Sequence, residues 1–573
     1  MNSHAVDLFA SKLNVAVPRT LLEWLLAVEE IGRVIAAGRD GSPEHFYDGA
    51  LQALDVECTM SAADRKRIPA KGPALLVANH PFGMLEGLIL GSLLREIRQD
   101  YRFVANSLLA DIPEISGRVL SVDPFGNSSS IHENGHSLRK AYKFLKEGGL
   151  LITFPAGEVS NLQGMPPSIV DSCWNSRLLR LARRAGAPVV PAFFSGRNSL
   201  KFQFAGLLHP SLRTALLCRE LVNKRGSRFT LAVGTPIQPD RQEDFPTDRE
   251  LTDYVRERTY VLGHRGLSKK VALPWPKKQQ SAIADAQPAA ALEADIAALP
   301  NDALLFAKGD YAAYFANAPH MPHLLPEIGR LREISFRAVG EGTGMPADLD
   351  RFDRYYHHLF LWKKSSREVV GAYRVAEVDK ILERMGPTGL YTHTLFRFDA
   401  GFLDKIRDGL ELGRSFIRVE HQRSVHPLHY LWKAIGCYLA RSPRRYLFGP
   451  VSISEDYSEA ARELIVAYFD ERRGEKQVHP RCAFRKRNLP HLQTLAQQAR
   501  GLPDLCDLVG DLETDAKAIP VLLRHYLNLG GEVLGFNVDR EFSNALDGLL
   551  LVDLEKGNSV VDRYIGRAAA ASA

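Results

Sequence analysis

Between residues 74 and 233 the chain alternates short, wholly apolar runs with longer stretches whose apolar residues recur every three or four positions. The runs ALLVA (74–78), LLITFP (150–155) and PVVPAFF (188–194) are too short for buried helices and predict strands covered on both faces, and RFTLAV from Arg228 predicts a further strand. NGHSLRKAYKFLKEGG (134–149) puts Leu138, Ala141, Tyr142 and Leu145 on one helical face and stops at a glycine pair. TLLEWLLAVEEIGRVIAAG (20–38) opens on a Thr20–Glu23 capping box and closes at Gly38. Strand, helix and strand in this rhythm predict a largely parallel α/β sheet with helices on both faces.

The second half reads differently. EIGRLREISFRAVGEGTG predicts a helix and loop, DLDRFDRYYHHLFLW a polar loop entering a strand, and EVVGAYRV another strand. ELGRSFIRVEHQR, the helix LHYLWKAIGCYLA with Trp432 and Ile435 facing inward, and the strand YLFGPVSIS follow. The halves meet at PKKQQSAIADAQPAAALEADIAALP (276–300), an Ala-, Pro- and Gln-rich stretch expected to be a linker with a short helix. The expected organisation is a first domain over 1–265, a linker over 266–300 and a second domain over 301–573, in keeping with 573 residues being too many for one core.

Composition narrows the class. Hydrophobic residues at 45% and charged residues at 24% describe an ordinary globular protein. No run approaches the roughly 20 apolar residues that span a bilayer, and MNSHAVDLFASKLN lacks the layout of a signal peptide, so a cytoplasmic protein is expected. The six cysteines form no CxxC pair, which argues against a zinc site or a disulfide framework, and no metal is expected. The 73 basic and 67 acidic residues give a mild excess of +6, so clustering matters more than the total.

Three apolar strands of the first half end in polar, reaction-capable groups: Asn79-His80, then Gly157-Glu158, then Ser195-Gly196-Arg197-Asn198. Ligands of parallel sheets bind beyond the carboxyl ends of the strands, so these termini predict one site. The segments NHPFGMLEG (79–87), FPAGEVS (154–160) and the strand and loop at 187–198 resemble the sequential motifs of the glycerolipid acyltransferases, usually NH-x4-D, FPEGTRS and a late VPV-type strand. The resemblance implies that His80 is a general base for an acceptor hydroxyl, with Glu86 as its partner. It also implies that Asn79, Gly83, Pro155, Gly157, Glu158, Arg197 and Asn198 line the substrate. Two departures matter. The acid stands one position late, with Leu85 where the aspartate would fall, and Val159 replaces the motif arginine. Losing a guanidinium that matches phosphate oxygens favours an acceptor without phosphate, with Arg197 as a substitute cation.

The second half resembles the GNAT-type fold in its N-acyltransferase branch, the ornithine acyltransferases, with acyl-homoserine-lactone synthases more distant; this implies a mixed sheet. There Glu411 and Arg414 of E-x-x-R line the active centre, and Asp350 and Asp353 of DLDRFD form an acidic loop near the substrate. The alternative for Asp350 and Asp353 is a capped loop ahead of a strand, and for Glu411 and Arg414 structural salt bridging. HQRSVHPLHY, after the strand, lacks the glycines that let a GNAT loop cradle pyrophosphate, which disfavours coenzyme A. From Arg414 to Arg445 seven Lys or Arg face a single acid, Glu420. Arg418, Arg423, Lys433, Arg444 and Arg445 are expected to dock an acidic acyl carrier protein, the alternatives being a solvated helix face or a nucleic-acid contact. Nothing there interleaves aromatics as a nucleic-acid site would.

Both halves together resemble the bifunctional ornithine lipid synthases. That implies N-acylation of ornithine with a carrier-bound 3-hydroxyacyl group, then O-acylation of the lyso-lipid by the first domain, with acyl carrier thioesters as donors, no bound cofactor, and peripheral attachment to the inner face of the cell membrane. The alternatives are a single O-acyltransferase whose GNAT-like half only docks the carrier, or a synthase using another amino acid such as glycine.

Overall fold

The computed structural model describes residues 27–39, 45–106, 113–122, 128–164, 167–208, 210–266, 280–424 and 426–556. The Thr20–Glu23 capping box lies outside the described residues. The chain forms two compact units, the first made of 1–266 with 490–517, the second of 267–489 with 518–573.

The first unit is built on a seven-stranded sheet of β1 (Glu57–Thr59), β2 (Ala74–Ala78), β3 (Tyr101–Asn106), β4 (Val119–Val122), β5 (Leu150–Thr153), β8 (Val189–Phe194) and β9 (Arg228–Val233), in the order β1-β9-β8-β2-β5-β3-β4. A small hairpin, β6 (Asn161–Gln163) with β7 (Ser168–Val170), stands apart from it. All pairings in the large sheet are parallel except β8 with β9, as the alternation of strand and helix predicts. β2 is central and buried along its whole length, which is why ALLVA carries no polar residue. Leu76, Ile152 and Val190 pack with Leu85, Ile89 and Leu90 of the helix Leu85–Arg95, each such side chain contributing about 1.5–3 kcal/mol. The helix Ser128–Lys146 begins earlier than its apolar stripe, buries Ala141 and Leu145, and ends before Gly148 and Gly149.

In the second unit β10 (Leu304–Lys308), β11 (Tyr311–Asn317), β12 (His357–Lys363), β13 (Glu368–Glu377), β15 (Gly409–Ile417), β16 (Tyr446–Ile453), β18 (Glu532–Asp539) and β19 (Ala545–Asp553) form a mixed eight-stranded sheet in the order β10-β11-β12-β13-β15-β16-β19-β18. A separate two-stranded sheet joins β14 (Phe396–Phe398) to β17 (Val478–Pro480). Every neighbour in the large sheet is antiparallel except β15 with β16, which pair in parallel only from Gly409↔Tyr446 to Glu411↔Phe448. Beyond Glu411 the two strands part. A side chain at Gly449 would collide there with the Leu412 carbonyl oxygen, so the parting point requires glycine. The Ala-rich stretch ends in the helix Ala289–Ala298, whose Leu292 is buried in the core of the second unit. The inward pair Trp432 and Ile435 is buried as its spacing predicts.

Candidate functional sites

In the first unit β8, β2 and β5 are sheet neighbours, so the three reactive strand ends emerge side by side. Asn79 ties two of them together: its amide donates to the Phe194 carbonyl at 3.1 Å and accepts from the Phe194 N–H at 2.7 Å. Asn198 donates to the Phe82 carbonyl at 3.2 Å. Both asparagines therefore shape the loops.

His80 follows directly, 16% exposed, its ring stacked on Phe154 at 4.3 Å. Its Nδ1 lies 3.2 Å from Glu86 Oε1. That separation is an ion-pair distance without hydrogen-bond alignment. Glu86 is wholly buried in the first turn of the helix Leu85–Arg95, and its Oε1 accepts from the N–H groups of Phe82 at 2.7 Å and Gly83 at 3.2 Å. The turn works because Gly83 has φ +106°, a conformation a side chain disfavours. It carries the late acid back to the imidazole. Burial pushes the His80 pKa down, but the Glu86 charge, assisted by Asp171, more than offsets this, so the ring titrates above its usual value. With Nδ1 turned to Glu86, Nε2 is left to take a proton.

Sequence reasoning missed Asp171. Wholly buried, it accepts from the His80 N–H at 3.2 Å, the Ser160 hydroxyl at 2.5 Å and Trp174 Nε1 at 2.9 Å, and so fixes the histidine backbone. No motif marks it, because it meets His80 only through the fold. Arg213 was missed likewise. It pairs with Glu158, supplying a guanidinium beside the motif that lacks its own. Val159 is buried against the Gly83 turn, Pro155 is buried and Gly157 is exposed with φ +70°. Arg197 is exposed and its side chain makes no ion pair among the described residues.

In the second unit Glu411 sits where β15 and β16 part. Its Oε1 accepts from Thr392 N at 2.6 Å, and its Oε2 from Tyr391 N at 3.2 Å and from the Tyr356 hydroxyl. Burial raises its pKa, against the pull of these donors. Glu411 holds the Tyr391–Thr392 turn and is not salt-bridged to Arg414.

Arg414 sits on a bulge of β15 with φ +47°. It is held by Asp348 at 3.3 Å and Asp350 at 3.8 Å and stacked on Tyr391 at 5.0 Å and Phe542 at 4.7 Å. Asp353 pairs with Arg332 at 2.8 Å and Arg374 at 3.3 Å, and Asp350 with Arg374 at 2.7 Å. The two aspartates also form the capping box of the 3-10 turn Arg351–Arg354. Arginine pairing pulls the Asp353 pKa well below the carboxylate range, although burial alone would raise it. The expected acidic loop is thus a lattice of arginines and aspartates around Arg414.

The basic run is largely committed to the chain's own acids. Arg418 pairs with Glu368 at 2.5 Å, Arg444 with Glu377 and Asp379 at 3.0 Å, and Arg445 with Asp553 at 3.1 Å and Glu555 at 2.9 Å. Lys433 lies 4.5 Å over Phe306, and Arg423 is exposed. Among the described residues no group of three His, Cys, Asp or Glu can hold a metal ion, and no helix is long and apolar enough to cross a membrane.

Comparison with known proteins fits this division. A family profile described as acyltransferase matches residues 8–267, and one described as acetyltransferase (GNAT) domain matches 331–433. A glycine N(alpha)-acyltransferase of Bacteroides thetaiotaomicron is 33% identical over 174 residues, 28% of this chain and 51% of that protein. A lyso-glycine lipid O-acyltransferase of Phocaeicola vulgatus is 23% identical over 268 residues, 44% of this chain and 91% of that protein. The chain thus spans about half the length of the N-acyltransferase it matches. A solved 1-acyl-sn-glycerophosphate acyltransferase of Thermotoga maritima is 20% identical, with 42% of this chain and 91% of that chain covered, but its TM-score of 0.26 is too low to speak to the fold. The chain joins an acyltransferase domain to a GNAT domain.

Proposed function

We propose that the chain makes a doubly acylated amino-acid lipid, with ornithine as the head group. The second unit transfers a 3-hydroxyacyl group from acyl carrier protein to the α-amine; the first then acylates the 3-hydroxyl of the lyso-lipid from a second carrier thioester. The observation that carries this reading is His80, 3.2 Å from a buried carboxylate where three strand ends converge.

In the O-acyl step the acceptor hydroxyl gives its proton to His80 Nε2 as its oxygen attacks the thioester carbonyl. Glu86 stabilises the imidazolium, and the carrier thiol leaves with the proton returned. An acceptor without phosphate suits a motif whose arginine is replaced by Val159, and the Glu158–Arg213 pair suits a head group carrying both charges.

In the N-acyl step a neutral α-amine attacks the first thioester in the gap between β15 and β16; the C–S bond breaks and the proton lost by the amine ends on the departing carrier thiol. Arg414, already aligned by Asp348 and Asp350, binds the amino acid's carboxylate, while Glu411 positions the turn beneath it. Leu200 and Phe204, 58% and 59% exposed and one helical turn apart just beyond Asn198, suit insertion into the cytoplasmic face of the membrane. Arg423 and Lys433 are the members of the basic run best placed to meet an acidic carrier. The relatives' names favour glycine as a second reading of the head group.

The test is to supply purified protein with ornithine or glycine, 3-hydroxyacyl carrier protein and a second acyl carrier protein, and to follow the lipids by mass spectrometry. His80→Ala should accumulate the N-acyl lyso-lipid; normal yields of the doubly acylated product would remove His80 from the mechanism.

A further inference from the structure

A second group of carboxylates lies beside Arg414, and neither acyl-transfer motif contains any of it. Asp547 of β19 stands directly opposite Ser452 of β16 and Asn537 of β18 in the ladder. Opposed residues share a face. The Ser452 hydroxyl donates to Glu341 Oε2 at 2.7 Å, which brings Glu341 over the same position. Asp539, two residues beyond Asn537, is a diagonal neighbour of Asp547 on that face, at about 7–8 Å by strand geometry. Ser452 is an even number of residues along β16 from Phe448, the partner of Glu411, so this face is also the face of Glu411.

Asp547 is only 5% exposed, and its carboxylate makes no hydrogen bond or ion pair among the described residues. Glu341 commits one oxygen to Ser452, and Asp539 one oxygen to the N–H groups of Glu541 and Phe542. The arginines that face the group are engaged elsewhere: Arg414 by Asp348 and Asp350, and Arg462 by the Asn544 carbonyl at 2.9 Å. Burial raises all three carboxyls, Glu341 to about 7, and their mutual repulsion adds to the rise for Asp547. Such a buried carboxyl holds a proton when no countercharge is near and ionises when a cation arrives to meet it. Asp547, with the remaining oxygens of Glu341 and Asp539, stands beside Arg414, whose long 3.8 Å contact to Asp350 an incoming α-carboxylate can replace, and together they make a site with a charge pattern. It is complementary to an amino acid with a second, cationic amine on its side chain.

Building on the ornithine reading, we infer that Asp547, with Glu341 and Asp539, forms the specificity pocket for the side-chain ammonium of a diamino acid. The α-carboxylate is then held at Arg414 and the side-chain amine stays charged and unreactive, which leaves the α-amine to be acylated. Glycine, which has no second amine, would leave the three acids unpaired.

The test compares ornithine with norvaline, its analogue lacking the side-chain amine, in the full chain with 3-hydroxyacyl carrier protein as donor. Wild-type enzyme should favour ornithine by on the order of 10- to 100-fold in kcat/KM, the worth of a charge-assisted contact. Asp547→Asn should raise KM for ornithine by a similar factor while leaving kcat and norvaline turnover within about threefold. Glu341→Gln should do the same more weakly. Norvaline turnover doubles as the check that each variant is folded. If wild type does not favour ornithine over norvaline, the head-group reading itself falls. If wild type favours it and both variants keep that preference, the head group stands and the pocket assignment falls. A loss shared equally by both amino acids would make Asp547 part of the general machinery and also overturn the assignment.

Discussion

The two candidate sites arrange their charges in opposite ways. In the first unit one imidazole faces a buried carboxylate, whose Oε1 is anchored by two backbone N–H groups, while Asp171 fixes the histidine backbone. In the second, carboxylates and guanidiniums form a lattice, and Glu411 spends both oxygens on a tyrosine and a turn. The difference follows from the nucleophiles proposed for them. An alcohol is neutral but a poor nucleophile, so it needs one well-placed base. An amino acid arrives charged at both ends, so its site is dominated by countercharges.

The sharpest way to break this comparison is His80→Ala. O-acylation should fall on the order of 100- to 10,000-fold, with the N-acyl step unchanged, read as the ratio of lyso-lipid to finished lipid. Glu411→Ala should lower N-acylation by about 100-fold while added lyso-lipid is still O-acylated at the normal rate; equal loss in both steps would mean that the units do not act separately. Glu86→Gln should cost about 10- to 100-fold in O-acylation and change the pH profile. A base works only when neutral, so wild-type activity should fall as pH drops through a midpoint above the usual 6.5. Removing the carboxylate removes the upward push, and that limb should move to lower pH. Arg213→Ala is the mildest: the part-exposed pair with Glu158 is worth at most about 1 kcal/mol, so KM for the lyso-lipid should rise up to about fivefold with kcat unchanged.

Motif and periodicity were enough to locate His80, because a histidine at the end of an all-apolar strand stands out against its surroundings. They also located the acid that meets it, despite the shifted spacing. Asp171 and Arg213 were not legible, since each lies in a segment with no pattern of its own and reaches the site across the fold. The basic run from Arg414 to Arg445 shows the converse. In sequence it is a strong positive stretch, yet Glu368, Glu377, Asp379 and Asp553, distant in sequence from their partners, neutralise much of it.

What the sequence determined by itself was the central strands and the parallel α/β class of the first half, and the main strands and the Trp432 helix of the second, because apolar periodicity is a local property set by burial on one face or two. What the tertiary structure alone decided was which charges meet. That Glu86 reaches His80 depends on a glycine turn, that Glu411 braces a turn instead of Arg414 depends on the Tyr356 loop, and that Asp547 stands unpaired beside Glu341 and Asp539 depends on the register of β16, β18 and β19. Charge pairing acts over a few ångströms between residues that are mostly tens of positions apart or more, and no pattern along the chain encodes it.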